Sequence, residues 1–174
     1  TRHLVGYGAR WPFAAALYRE RNPGIERLIE RTGITEGDDF DAIARGLRRM
    51  ARSEMYRIGA RDLLGLATLD ETLDGITSLA EAALRVATDR LRVLHARETG
   101  DAVDDSGRPI PFVVLGLGKL GGQDLNYSSD IDVAYYYAHD APMAGGHTAR
   151  EFFSRLAKEI SRAIGDTTAD GHEF

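Results

Sequence analysis

A short apolar run, a glycine turn and two aspartates follow one another too closely for most folds that use such turns. PFVVLG, residues 111 to 116, is a continuous apolar run, β-branched in its middle, and reads as a buried strand. Gly116, Gly118 and Gly121 then spell G-x-G-x-x-G. The dinucleotide-binding arrangement would require a helix long enough to cross the sheet and an acidic residue about 20 positions on. Here eight residues, 122 to 129, separate Gly121 from Asp130. That is about two helical turns, and Asn126-Tyr127-Ser128-Ser129 is a poor helix ending. A phosphate loop of the G-K-[ST] kind fits worse, because Leu120 follows Lys119. Strand, tight turn and second strand are what remain, with IDVAYYYA as the second strand.

Asp130-Ile131-Asp132 then has two readings. Side chains two apart on a strand share a face, so the carboxylates point one way while Ile131 and Val133 point the other. The bland reading is a pair of surface aspartates at a strand edge. In the other, a cation sits between two carboxylates that would otherwise repel. The turn favours the second. A short helix after Gly118-Lys119 would aim backbone N–H groups at an anion, and Asn126, Ser128 and Ser129 lead straight into the carboxylates. Magnesium takes one or two carboxylates plus phosphate oxygens. Turn and aspartates then make one site, suited to in-line attack at phosphorus.

Residues 1 to 109 read as a helical region. Arg10 to Arg19 is a short apolar-rich segment, broken by Asn22-Pro23-Gly24. Asp38 and Asp39 can cap the next helix. In FDAIARGLRRMARSEMYRIGARDLLGL, Ile43, Leu47, Met50, Ile58 and Leu63-Leu64 fall at helical spacings. Arg45, Arg48, Arg49, Arg52, Arg57 and Arg61 read as a solvated face with internal ion pairs, or else as a docking face. Thr68 with Glu71 forms a capping box for a helix with one apolar stripe, Ile76 to Leu94, and His95 as a charge complement at its end. Residues 110 to 174 form a second unit, strand, turn, strand and an amphipathic helix ending at Gly165. The expected class is α+β, the second unit being the start of an α/β domain. The sequence opens without methionine and breaks off at ADGHEF, as a piece of a longer protein would.

Composition narrows the function. The net charge of -5 argues against coating nucleic acid. The chain has no cysteine, which removes disulfides and thiolate-bound zinc and is compatible with a reducing cytosol. No run approaches the roughly 18 apolar residues of a membrane span, so neither nucleic acid nor a membrane is an expected partner.

Strand, Gly-Lys, about ten residues and Ser129-Asp130-Ile131-Asp132 together resemble the polymerase-β-type nucleotidyltransferase superfamily. The fuller string GLGKLGGQDLNYSSDIDVAYYY closely resembles the bifunctional glutamine synthetase adenylyltransferase/adenylyl-removing enzymes. RRMARSEMYRIGARDLLGLATLDETLDGITSLAEAAL is similar to that family's helical region. The family carries two nucleotidyltransferase copies. Leu125-Asn126-Tyr127-Ser128-Ser129-Asp130-Ile131-Asp132 resembles the N-terminal, adenylyl-removing one.

The resemblance implies a small mixed sheet, with Asp130 and Asp132 as catalytic, magnesium-binding carboxylates. It implies Gly118, Lys119, Gly121, Gly122, Ser128 and Ser129 around the nucleotide phosphates. A third carboxylate is expected in a motif that Gly171-His172-Glu173-Phe174 would open, beyond the last residue. Asp166 and Asp170 read as loop residues, and His139, His147 and His172 as structural or exposed. The implied reaction is phosphorolysis of adenylyl-tyrosine on glutamine synthetase, giving ADP. Glutamine synthetase, the PII signalling protein, ADP or ATP and phosphate are the implied partners, in the cytoplasm. Two alternatives stay open: adenylyl transfer from ATP, and a non-catalytic docking module.

Overall fold

A computed structural model describes residues 19–165. The apolar-rich segment before residue 19, and Asp166, Asp170 and Gly171 to Phe174, lie outside the described residues.

Helix α1, Ile25–Thr32, stops at Gly33, whose φ of 64° is a left-handed cap. Helix α2, Phe40–Leu63, starts where the Asp39 side chain accepts the Ala42 N–H at 2.8 Å. Helix α3, Leu69–Thr99, opens on the expected capping box. Thr68 Oγ1 accepts the Glu71 N–H at 3.2 Å, and Glu71 Oε2 accepts the Thr68 N–H at 3.1 Å. A cap of this kind contributes about 1 kcal/mol. At 31 residues, α3 depends on packing rather than propensity. Its stripe supplies that packing, with Leu79, Ala80, Ala87 and Leu91 fully buried.

Strand β1, Phe112–Gly116, pairs antiparallel with strand β2, Val133–Tyr137, in the register Phe112↔Tyr137 to Gly116↔Val133. The one-turn helix α4, Gly118–Gly121, lies between them, and helix α5, Ala149–Gly165, follows. Helices α2 and α5 both pack on α3, and α5 also reaches α2. One hydrophobic core joins both segments, from Leu28 and Leu47 through Leu91 to Ile110, Leu125, Leu156 and Ile160. The architecture is α+β. The sheet has two antiparallel strands among the described residues. No described helix is long and apolar enough to cross a membrane.

Four expectations change. Strand β1 is covered on one face only: Val113 and Leu115 are 54% and 48% exposed, while Phe112 stacks on Phe153 of α5 at 5.1 Å. A continuous apolar run does not reveal whether a second layer covers it. Leu63 leaves the apolar face of α2 and is exposed, because the helix ends there. The basic face of α2 is split. Arg45, Arg49 and Arg52 are exposed, but Arg57 is buried, its Nε 2.6 Å from Glu54 Oε2 and its Nη1 donating to the Glu20 carbonyl at 3.1 Å. His95, near the end of α3, has a partner that the helix-end reading did not name. It is buried, with Nε2 2.6 Å from Glu159 Oε2 on α5 and its ring edge-on to Phe152.

Candidate metal and phosphate site

The site begins where β1 runs out. The Leu117 N–H donates to the Asp132 carbonyl at 2.8 Å, extending the ladder one step past the last strand pair. The backbone then turns at Gly118, φ 51°, into α4. A Cβ at Gly118 would stand 3.3 Å from Asp132 Oδ2. The turn is thus folded against the carboxylate, and the missing side chain leaves open the space in front of it. Gly121 has a different reason to be glycine: a Cβ there would lie 2.7 Å from the Gly116 carbonyl oxygen, inside contact distance. Gly122 closes α4, its N–H donating to the Gly118 carbonyl at 2.9 Å, and faces Asp124.

Asp130 and Asp132 lie in the extended lead-in to β2, just before the strand itself. Their exposure alternates as the pattern predicts. Both aspartates are exposed, while Ile131 between them is half-buried against the core.

The chain delivering them is tied to itself. Asn126 Oδ1 accepts the Ser128 N–H, the Ser128 hydroxyl and the Ser129 hydroxyl, at 3.1, 3.1 and 2.9 Å. Ser129 Oγ in turn accepts the Asn126 N–H at 3.1 Å and a proton of Lys119 Nζ at 3.3 Å. Lys119 therefore bridges from the glycine turn to the residue before Asp130. The structure brings Gly118, Lys119, Ser129 and Asp132 into one linked group, with Asp130 next in the chain. Ser128 is spent on the Asn126 turn, and Gly121 on packing against β1.

Two helices hold this loop, through residues that sequence reasoning missed. The Tyr127 hydroxyl donates to Asp62 Oδ2 at the end of α2, 3.2 Å away. Burial, the Asp62 charge and that hydrogen bond push the Tyr127 phenol up to about 12. The Leu125 N–H donates to Thr77 Oγ1 of α3 at 3.3 Å, in a buried position. Nothing local in the sequence links position 62 or 77 to position 127. Between α2 and the loop runs a cleft of about 510 Å³ that reaches Ser129 and Asp130.

The donor set suits a hard divalent ion. Asp130 and Asp132 offer carboxylate oxygens, and Gly118 leaves room before one of them. Among the described residues no three His, Cys, Asp or Glu side chains are grouped to hold a metal. His139 and His147 are exposed and stand outside this group, His147 nearest Glu151 at 3.8 Å.

A family model described as glutamate-ammonia ligase adenylyltransferase matches residues 15–174. The chain belongs to that family. A bifunctional glutamine synthetase adenylyltransferase/adenylyl-removing enzyme of Stenotrophomonas maltophilia is 43% identical over 127 residues, 72% of this chain and 14% of the relative. The corresponding enzyme of Methylococcus capsulatus is 37% identical over 169 residues, 94% of this chain and 18% of the relative. The chain thus spans under one fifth of the length of the family members it matches. The match includes both the helical segment and the turn with its two aspartates.

Proposed function

We propose that the chain serves in removing AMP from adenylylated glutamine synthetase by magnesium-dependent phosphorolysis. The observation that carries this reading is the contact between the turn and the carboxylate pair, where a Gly118 Cβ would stand 3.3 Å from Asp132 Oδ2. Phosphate-handling turn and metal-binding carboxylates are then two walls of one site. The local string Leu125 to Asp132 favours the adenylyl-removing direction over adenylyl transfer from ATP.

The physical problem is bringing one anion against another. Magnesium, when bound, would neutralise phosphoryl oxygens. Asp130 and Asp132 would hold it. Gly118 would let the phosphoryl group approach the backbone closely, and Lys119, kept over the site by Ser129, would add a positive charge to the phosphate side. An oxygen of inorganic phosphate attacks the α-phosphorus. The bond from that phosphorus to the tyrosine oxygen breaks, and the tyrosine departs to take up a proton. ADP and unmodified glutamine synthetase result. No protein nucleophile is required. Such a substrate places the reaction in the cytoplasm and makes nitrogen signalling through PII the natural source of control.

The test supplies adenylylated glutamine synthetase, phosphate and magnesium to the chain extended through the expected third-carboxylate motif and measures ADP. Magnesium-dependent ADP release, abolished in Asp130→Asn and Asp132→Asn, supports the reading. Formation of adenylylated synthetase from ATP instead would reverse the assigned direction. Full activity in both variants would overturn the metal assignment.

A further inference from the structure

Asp130 and Asp132 are held from two sides. On the sheet side, the Asp132 carbonyl accepts the Leu117 N–H at 2.8 Å. On the other side, Asp130 follows directly on the loop 125–129, whose fixed points lie on two helices. The Leu125 N–H donates to Thr77 Oγ1 in α3 at 3.3 Å, and both residues are buried. The Tyr127 hydroxyl donates to Asp62 Oδ2, in the last turn of α2, at 3.2 Å. Neither acceptor is explained by its own helix. Thr72 of α3 turns its hydroxyl back on the Thr68 carbonyl at 3.1 Å, as a helical threonine commonly does. Thr77 offers its oxygen to the loop instead. A carboxylate in the last turn, such as Asp62, faces the negative end of the helix dipole, so α2 gains no stability from its charge.

We propose that Thr77 and Asp62 are positioning residues for the carboxylate pair, so that α2 and α3 set how tightly the site holds a divalent ion. The inference rests on the metal reading above and extends it to residues that do not touch the ion. An ion shared by two carboxylates tolerates little error in their placement. The outer contacts that orient metal ligands are typically worth about ten- to a hundredfold in affinity. Here those contacts form a chain. Asn126 ties Ser128 and Ser129 into one turn, and Ser129 holds Lys119. Thr77 and Asp62 fasten that turn to the helices, one residue before and one residue after Asn126. The helical segment then does more than support the sheet: it aims Asp130.

Titration of the full chain with manganese(II), a paramagnetic stand-in for magnesium, tests this without substrate or turnover when followed by electron paramagnetic resonance. Thr77→Val keeps the shape of the side chain and removes the acceptor. Asp62→Ala removes the other acceptor from the end of α2. Each should weaken manganese binding by about tenfold. Thr77→Ser and Asp62→Asn keep an acceptor oxygen and should bind as the unaltered chain does. A role in folding alone would lower the urea midpoint of Thr77→Val and Asp62→Ala and leave their manganese affinity unchanged. That result, with binding still lost in Asp130→Asn and Asp132→Asn, would overturn the proposal and spare the metal reading. Binding that survives in the two aspartate variants, or no binding to the unaltered chain, would overturn the metal reading and the proposal with it.

Discussion

Two groups of charged side chains obey opposite rules. Glu54 is 1% exposed and meets Arg31 of α1 and Arg57 of its own helix, while Arg31 also binds Glu20. Every charge there has a partner, and the group fastens α1 and the chain before it to α2. Asp130 and Asp132 are exposed and of one sign, with a glycine where a covering side chain would stand. The first group is built for the fold. The second, on the proposed function, would receive a metal ion. Buried ion pairs fail badly when one member goes, because the other stays uncompensated. An exposed acidic pair costs the fold little to alter.

That contrast can be broken most sharply at Glu54. Glu54→Ala strands the buried Arg57 guanidinium and should lower unfolding free energy by about 3–5 kcal/mol, read from urea denaturation. A loss under about 1 kcal/mol would mean that the two groups do not differ as described. Gly118→Ala comes next. It forces a side chain into a left-handed backbone at φ 51° and toward Asp132 Oδ2. The expected cost is about 1–2 kcal/mol, with a loss of magnesium-dependent ADP binding that Gly65→Ala, also left-handed but with nothing within 4 Å, should not show. Tyr127→Phe removes the hydrogen bond to Asp62 and should cost about 1 kcal/mol, while raising the KM for substrate more than it lowers kcat.

The smallest effect concerns pH. Burial pushes the Glu159 carboxyl up, but the hydrogen bonds and charges of His95 and Arg155 outweigh burial and hold it below its ordinary 4.5. A depressed carboxylate stabilises the fold above that ordinary value, and the contribution is lost as pH falls through the lower folded value. Wild type should therefore lose more stability than Glu159→Gln on acidification below about pH 4.5. Equal losses, measured by thermal unfolding, would remove the His95–Glu159 pair from the account.

The contrast also explains what was legible in the sequence. Caps and stripes are local: Asp39, Thr68 with Glu71, and the stripe from Ile76 to Leu94 each act along one helix, and the structure contains them, with Leu94 only partly buried. The turn and the aspartate pair were legible for the same reason, since ten residues of chain connect Lys119 to Ser129. Partners far apart were not. Arg57 reads as a surface arginine until Glu20 and α1 close over it. His95 reads as a helix-end charge until α5 brings Glu159 to it from 64 residues away. The outward faces of Val113 and Leu115 look like core because hydropathy does not say which side a second layer takes. Tyr127 and Asp62, 65 residues apart, meet only because the core brings α2 against the loop.

The proposed function requires glycine turn and carboxylate pair to be one metal-phosphate site. Calorimetric titration of ADP into the full chain, with and without magnesium, tests it most directly. Binding should require magnesium, be lost in Asp130→Asn and in Asp132→Asn, and be weakened in Gly118→Ala, with all three variants folded. Binding of equal strength in the absence of magnesium, or undiminished in the two aspartate variants, would contradict it.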